Sequence, residues 1–181
     1  MIRGSCLCGS VSFEFEEVSS SFRWCHCHRC RKISGSAFYA GFTVKGLRFL
    51  SGEVDIRSFE APVLKYPPAY RRDFCERCGS PVPWPNLESE THNVPAGSLD
   101  EDPGVRPVEH VLVECMAPWE KITDQLPQFT EAQVMYNWAR EQEETGDYVI
   151  EGYEWLLEQF SESSIVDAVK QRLAILKSDD Q

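Results

Sequence analysis

The sequence predicts a mainly β protein with a C-terminal α-helical extension, and three observations carry that prediction. Apolar and polar residues alternate in short runs along residues 1–127, which is the pattern of half-buried strands. Glycine and proline interrupt those runs at short intervals, as they do in the turns of small sheet structures. Residues 128–181 instead follow a helical period.

The strand signals come in order along the chain. Residues 11–15, VSFEF, alternate three apolar side chains with two polar ones. More deeply buried strands are predicted in residues 36–44, SAFYAGFTV, and in residues 111–115, VLVEC, with a short one in residues 47–50, LRFL. No segment before residue 128 sustains a long helical period, so residues 1–127 are predicted to form one sheet domain.

Residues 128–181 are predicted to form three helices. Thr130 and Gln133 fit a capping box at the start of the first, and Gly146 is a stop signal for its end. The second and third lie in residues 147–160 and 164–177, whose apolar stripes are interpreted as packing surface. We expect these stripes to pack on the sheet domain or on a second copy of the chain, which would make the helical tail a homodimer contact.

The charge of the chain argues against nucleic acid and anionic membrane surfaces as partners. The net charge is −11, and both of those partners attract basic patches. Residues 1–127 hold 14 Lys and Arg against 17 Asp and Glu, net −3. Residues 128–181 hold 4 against 12, net −8, so the domain boundary near Gln128 is also a boundary in charge.

The N-terminal residues and the cysteine content predict a cytoplasmic protein that uses its thiols for metal or catalysis. The N-terminal residues, MIRGSCLCGS, contain no apolar segment of a secretory signal, and no apolar run approaches the roughly 18 residues of a membrane span. In a reducing compartment, eight cysteines in 181 residues indicate metal binding or catalysis rather than disulfides. Cysteines one residue apart are also poorly placed to bridge each other.

The spacing of four cysteines predicts a structural zinc site. Cys6 and Cys8 form a CxC pair, whose sulfurs point the same way in an extended segment. Cys75 and Cys78 form a CxxC turn, and Gly79 permits the backbone that such a turn requires. One pair of each kind makes the closed four-cysteine set of a structural zinc, tying the N-terminal strand to the middle of the chain.

Three further thiols form a second cluster with two interpretations. It comprises Cys25, Cys27 and Cys30, in the stretch CHCHRC. Because a tetrahedral metal takes four ligands, Cys115 either supplies a fourth sulfur and closes an inert site, or the fourth position is open as in catalytic zinc sites. An iron or redox site is disfavoured because the chain has only one rubredoxin-like CxxCG turn.

Histidines and basic residues surround these cysteines. His26 and His28 alternate with the cysteines, so in an extended segment they face away from the sulfurs, and we expect them to form hydrogen bonds around the site or to lie exposed. The neighbouring bases either form a solvated face or offset the negative charge of a thiolate site; they are Arg29, Arg31, Lys32, Arg71 and Arg72.

Five stretches, taken together, resemble the glutathione-dependent formaldehyde-activating (GFA) family, which includes centromere-protein-V-like members. They are GSCLCGSVSFEF, CHCHRCRKISGSAF, RRDFCERCGSPV, VPAGSLDED and APWEKITDQLPQF, and they extend from about Gly4 to Phe129. The resemblance implies the β-tent fold of that family. It also implies that Cys6, Cys8, Cys75 and Cys78 bind a structural zinc and that Cys25, Cys27 and Cys30 bind a second, catalytic zinc with an open position.

The chemistry of an open three-thiolate site fits the same function. A metal ion held by three cysteines can take an incoming thiol as a fourth ligand, and a coordinating thiol loses its proton. Placed beside a small aldehyde such as formaldehyde, a glutathione-like thiolate would form a carbon–sulfur adduct. The predicted function is therefore that of a zinc-dependent carbon–sulfur lyase, similar to S-(hydroxymethyl)glutathione synthase. The alternative is a non-catalytic zinc module that binds a protein partner.

Overall fold

The computed structural model describes residues 1–61, 70–85, 90–143 and 149–179, which form thirteen strands and four α-helices. The strands are β1 Ile2–Ser5, β2 Ser12–Phe15, β3 Glu17–Val18, β4 Arg23–Cys25, β5 Tyr39–Lys45, β6 Arg48–Ser51, β7 Ile56–Ala61, β8 Tyr70–Cys75, β9 Pro81–Val82, β10 Trp84–Pro85, β11 His92–Pro95, β12 Glu109–Val111 and β13 Gln128–Phe129. The α-helices are α1 His28–Ser34, α2 Glu131–Gln142, α3 Val149–Gln159 and α4 Val166–Asp179. The sheet-rich architecture with a helical C-terminal region is as the sequence predicts. None of the helices in the described ranges is long and apolar enough to cross a membrane.

The strands form three sheets. The first has the order β1-β2-β6 and the third β7-β8-β9, and the pairing is antiparallel in both. The second has the order β10-β11-β5-β4-β12-β13, with β3 paired to β5. Within it, β12 runs parallel to both β4 and β13, which brings chain segments far apart in sequence to the end of β4.

Alternating side chains of β2 and β5 supply the main core of the sheets. Phe13 and Phe15 of β2 are fully buried and pack with Phe42 and Val44 of β5 and with Val94. Burying aromatic and β-branched side chains in this way contributes about 1.5–3 kcal/mol for each side chain. The alternation predicted for residues 11–15 is thus confirmed for its apolar face.

Glu14 departs from the simple pattern, because this polar residue of β2 is also buried. Its carboxylate forms ion pairs with Arg3 of β1 and Arg48 of β6, on the two strands that flank β2. The two arginines are largely exposed, so the pairs satisfy the carboxylate at the rim of the sheet. A period-two pattern alone does not predict this burial.

Two strand predictions need correction. Residues 36–44 form a strand only from Tyr39 onward. Residues 111–115 were expected to be a strand, but β12 ends at Val111 and residues 113–115 form a 3-10 helix. The cause is Leu112, whose φ of 58° lies in the left-handed region and turns the chain out of the sheet.

The helical region has a core of its own. The capping box predicted at Thr130 and Gln133 is present, and α2 begins directly after it. The stop predicted at Gly146 lies outside the described residues. The buried side chains of the region come from α2, α3, α4 and the turn before α4; they are Ala132, Ala139, Tyr153, Leu156, Ile165, Val169 and Leu173. The helices therefore bury their stripes against one another. We had expected packing on the sheet domain or on a second copy of the chain, and the homodimer contact stays a prediction.

Candidate metal and thiol site

Two turns bring four cysteine sulfurs together at one end of the first and third sheets. Cys6 and Cys8 lie in the turn between β1 and β2, and Cys75 and Cys78 lie at the end of β8 and in the turn after it. The Sγ atoms of all four lie within 4.8 Å of one another. Sγ of Cys8 is 3.5 Å from that of Cys6 and 3.9 Å from that of Cys75.

The backbone of each turn fixes these positions. Gly9 and Gly79 follow the two turns with φ near +73°, a conformation that glycine adopts without strain. The amide of Gly79 donates to the carbonyl of Cys75 at 2.8 Å, and the amide of Gly9 donates to the carbonyl of Cys6 at 2.9 Å. Ser80 joins the turns, because its hydroxyl accepts from the amide of Leu7 at 3.1 Å.

Hydroxyl groups favour the thiolate form of two of these cysteines. A hydrogen bond with the Ser10 side chain lowers the pKa of Cys8, helped by the Ser10 backbone. A hydrogen bond with the Ser80 side chain, again helped by its backbone, lowers the pKa of Cys78 to about 6. Because thiolates are the metal-binding form of cysteine, these contacts prepare the cluster for a cation.

The second cluster combines a strand end with a helix start. Cys25 is the last residue of β4, Cys27 caps the N-terminus of α1, and Cys30 lies in the first turn of that helix. Their Sγ atoms lie within 4.8 Å of one another. The amide of Cys30 donates to Sγ of Cys27 at 3.3 Å. The extended segment assumed for His26 and His28 ends at Cys25, and α1 begins at His28, within the same stretch.

The three thiols of this cluster share their protons unequally. Hydrogen bonds with Cys25 and Cys30 lower the pKa of Cys27, whereas the hydrogen bond with Cys27 raises the pKa of Cys25. The physical reason is that the first thiolate to form is stabilised by hydrogen bonds from the neighbouring thiols. Those thiols then lose their own protons less readily. A divalent cation would displace those remaining protons, since coordinating thiols are deprotonated.

Cys115 lies outside both clusters. It ends the 3-10 helix that follows β12, and the sulfurs that group with Cys25 are those of Cys27 and Cys30. All eight cysteines fall within the described ranges, and none of them forms a disulfide. This arrangement supports three ligands for the second cluster and gives no support to a disulfide framework.

His26 and His28 lie in different surroundings. His26 is fully buried, and its Nε2 is 2.8 Å from Nδ1 of His110 on β12. Burial, with the neighbouring His110, lowers the pKa of His26. His28 is exposed at the first residue of α1. Hydrogen bonding for one and exposure for the other match the expectation from their alternation with the cysteines.

His110 and Asp124 are residues near the cluster that the sequence did not single out. Nε2 of His110 lies 3.1–3.2 Å from both carboxylate oxygens of Asp124, so a chain of three polar groups ends at His26. The parallel pairing of β12 with β4 positions His110, because it places Val111 beside Cys25. No local sequence signal reports a contact between residues 84 positions apart.

An open cavity of about 690 Å³ lies beside the four-cysteine turns, and none of Cys25, Cys27 and Cys30 lines it. On one side it is lined by the four-cysteine turns, including Cys6 and Ser80, and on the other by the residues after α1, including Ser36 and Phe38. Tyr39, which also lines it, pairs with Cys25 across β4 and β5. Its volume is in the range of small-molecule sites.

The donor sets fit zinc. Four sulfurs around a tetrahedral zinc at about 2.3 Å lie about 3.8 Å apart, and the sulfur separations in both clusters are compatible with that figure. Thiolate-rich sites favour soft or borderline cations such as zinc over magnesium or calcium. The four-cysteine cluster could therefore hold one zinc ion with a complete set of ligands, and the three-cysteine cluster could hold a second with one position left.

The fold and the clusters together define a sheet-rich protein with two cysteine groups that could hold zinc. Comparison with protein-family models matches residues 1–115 to the family described as glutathione-dependent formaldehyde-activating enzyme, and the protein belongs to this family. The match ends before Phe129, to which the motif resemblance extends. A Rhodobacter sphaeroides protein, solved by crystallography as a structural-genomics target, is similar at 23% identity and a TM-score of 0.42, over 59% of this chain and 92% of that one. No curated protein matches the chain.

Proposed function

We propose that the protein forms or cleaves an adduct between a thiol and a small aldehyde, as a zinc-dependent carbon–sulfur lyase. The observation that carries this proposal is the three-cysteine cluster, from which Cys115 is absent. Membership of a family described as formaldehyde-activating favours formaldehyde as the aldehyde and glutathione or a similar molecule as the thiol.

The two clusters have different roles in this proposal. Cys6, Cys8, Cys75 and Cys78 hold a structural zinc, since four sulfurs complete a tetrahedral shell. Cys25, Cys27 and Cys30 hold the catalytic zinc, which supplies a Lewis acid that favours the thiolate form of the substrate thiol. Cys25 is carried by a strand and Cys30 by a helix, so both are anchored in rigid elements.

The reaction balances without any further reagent. The substrate sulfur forms a bond to the aldehyde carbon, the carbonyl π bond breaks, and the proton lost by the thiol ends on the former carbonyl oxygen. His28 is exposed at the start of α1, whereas Nε2 of His26 is already bonded to His110. The cavity lined by Tyr39, which pairs with Cys25, offers room for the body of the thiol.

The test is the rate at which zinc-loaded protein equilibrates formaldehyde and glutathione with their adduct, followed by exchange NMR, together with a binding screen of other thiols. We expect saturable thiol binding and accelerated exchange in wild type, a loss of both in Cys27→Ser, and retention of both in Cys115→Ser. Cys115→Ser is the matched control because it removes a thiol that is not a member of the cluster. Absence of thiol binding would contradict the proposal and favour a non-catalytic zinc module that binds a protein.

A further inference from the structure

The Arg72 side chain is held beside the three-cysteine cluster by contacts on several sides. Its Cζ atom lies 3.9 Å from the centroid of the Trp84 ring and 5.6 Å from that of Tyr39. Nη1 donates to the carbonyl of Arg71 at 2.8 Å, and Nη2 is directed at Sγ of Cys30, 4.0 Å away. Stacking on an aromatic face and a backbone hydrogen bond together restrict a side chain that is otherwise flexible.

The neighbouring Arg71 shows that this placement is specific. Successive residues of β8 point to opposite faces of the sheet, so Arg71 turns away from Arg72. Arg71 forms two hydrogen bonds with the buried carboxylate of Asp73, at 2.9 and 3.1 Å, and a third with Ser58. The charge of Arg71 is therefore offset by a carboxylate on its own strand, while the guanidinium of Arg72 reaches a cluster sulfur.

The surroundings of Arg72 make its charge effective. Cys30 and Trp84 are both buried, with 6% and 4% of their surface exposed. A charge next to buried groups is screened less than one in water, so its interaction with a nearby anion is larger. Three thiolates and one divalent ion carry a net charge of −1. A thiolate as the fourth ligand makes the net charge −2, whereas a neutral ligand leaves it at −1.

We propose that Arg72 determines the ligand preference of the three-cysteine site, by favouring an anionic sulfur ligand over a neutral ligand. This inference rests on the proposed function, in which that cluster keeps one position open. Arg72 offsets the charge that a thiol adds when it binds and loses its proton to solvent. A neutral ligand adds no charge and gains nothing from Arg72. The residue thereby selects for the thiol without contacting the aldehyde.

The experiment uses full-length protein loaded with cobalt, whose absorption reports the ligands directly. Wild type, Arg72→Met, Arg72→Lys and Arg106→Met are titrated with 2-mercaptoethanol and, separately, with imidazole. Methionine keeps an unbranched, flexible side chain without the charge, and lysine keeps the charge. Arg106 is the matched control, because it is an exposed arginine paired with Asp102 and its loss changes the net charge by the same amount.

We expect Arg72→Met to bind 2-mercaptoethanol about tenfold more weakly than wild type, while its affinity for imidazole changes less than twofold. Arg72→Lys should retain most of the preference, and Arg106→Met should match wild type. If Arg72→Met bound both ligands more weakly by the same factor, the role of Arg72 would be structural and the inference would be overturned. Unchanged binding of both ligands would also overturn it. If Arg72→Met does not take up two metal ions, the affinities for 2-mercaptoethanol and imidazole are compared in Arg72→Gln instead.

The outcome also separates this inference from the function on which it rests. Wild type that takes up no thiol contradicts the proposed function, and the inference falls with it. Wild type that binds the thiol, with a preference insensitive to residue 72, leaves the proposed function standing and refutes the role of Arg72 alone.

Discussion

At the scale of single residues, the chain from Asp124 through His110 to His26 fixes which ring nitrogens carry protons. The carboxylate of Asp124 accepts a hydrogen bond, so Nε2 of His110 must donate it. In a neutral His110 the other nitrogen, Nδ1, is then an acceptor, and Nε2 of His26 donates to it. Both histidines are thus held in one tautomer, and the ring beside Cys25 and Cys27 has a fixed orientation.

The imidazole pair predicts a non-additive effect of mutation on stability. His110→Leu leaves Nε2 of His26 buried without its acceptor, which should lower the free energy of unfolding by about 1–3 kcal/mol. His26→Leu should cost a similar amount by leaving Nδ1 of His110 without a donor. The double variant removes both polar groups, so we expect it to be more stable than the sum of the single losses predicts. Denaturant unfolding of the four zinc-loaded proteins measures this, and additive losses would contradict it.

The sequence predicted the membership of the clusters better than their surroundings. Cysteine spacing joined the CxC pair to the CxxC pair and grouped the three thiols of CHCHRC, as the structure does. Spacing left open whether Cys115 belonged to the second group, and the family resemblance favoured three ligands. The polar contacts of His26 and Arg72 could not be found in this way. His110 reaches His26 through a parallel pairing of strands, and Arg72 reaches Cys30 across 42 residues of chain. Local spacing contains no information about either.

At the scale of elements, Glu143 links the helices of the C-terminal region. It follows α2 directly and accepts two hydrogen bonds from Arg172 of α4, at 2.9 and 2.6 Å. The hydroxyl of Tyr153 on α3 donates to the same carboxylate. All three helices therefore meet at one side chain, whose surface is only 12% exposed.

This junction predicts a pH dependence. The hydrogen bonds from Arg172 lower the pKa of Glu143 in the folded protein, so its stabilisation is fully present above the ordinary glutamate pKa of about 4.3 and is lost as pH falls through the folded value. We expect Glu143→Gln to be less stable than wild type by about 1–3 kcal/mol at pH 7, and the difference to shrink at pH 3. Urea unfolding followed by helical circular dichroism at both pH values measures it.

Glu154→Gln is the control for that measurement. Glu154 pairs with Lys177 at 2.6 Å, and both side chains are about half exposed, so the pair contributes little to stability. Thiol protonation at low pH affects both variants alike, which leaves the comparison between them valid. A Glu143→Gln deficit that is the same at pH 3 as at pH 7 would show that the ion pair is not its cause.

Element boundaries also show what periodicity can and cannot report. The capping box at Thr130 predicted the start of α2 correctly, because its two hydrogen bonds involve residues three apart. The short helix α1 was missed because its first turn is built on a cysteine cap and contains no apolar stripe. The early end of β12 was missed because leucine rarely adopts the left-handed conformation that Leu112 has, so residue type gives no signal of it.

At the scale of the whole molecule, the helical region and the sheets have separate cores. The buried residues of the helical region, such as Tyr153 and Leu156, pack with one another, and those of the sheets pack around Phe13 and Phe42. Contact between the two parts includes α2 with β13 and a hydrogen bond from the amide of Glu131 to the side chain of Glu114. The domain boundary near Gln128 stays a prediction, and β13, which pairs with β12 in the second sheet, lies just beyond it.

Separate cores predict that the sheets tolerate removal of the helices. A chain ending at Phe129 should remain folded and hold as much zinc as the full-length protein, because no member of either cysteine cluster lies beyond that residue. Metal analysis and thermal unfolding of the two chains measure this. Loss of zinc or of folding in the shorter chain would contradict it. A change in mass by light scattering would instead support the homodimer predicted through the tail.

The two cysteine clusters close loops of different length, and this predicts different costs for their loss. Cys8 and Cys75 are 67 residues apart, so a cation there links two sheets through a long loop. Cys25, Cys27 and Cys30 lie within a single segment, which β4 and α1 already order. The entropy gained by the unfolded chain is larger when a long loop is released. The first cluster should therefore contribute more to folding than the second.

Metal analysis of cysteine variants measures that difference. Fully loaded wild type should contain two zinc ions per chain, with the ion of the four-cysteine cluster more resistant to chelators. Cys78→Ser should lower the unfolding midpoint by about 10 °C, the shift produced by a loss of about 3 kcal/mol in a chain of this size. Cys27→Ser should remove one zinc ion with a much smaller shift, and Cys115→Ser should change neither quantity. Equal shifts in Cys78→Ser and Cys27→Ser would mean that both clusters are structural, because an open site that serves a substrate has no comparable part in folding.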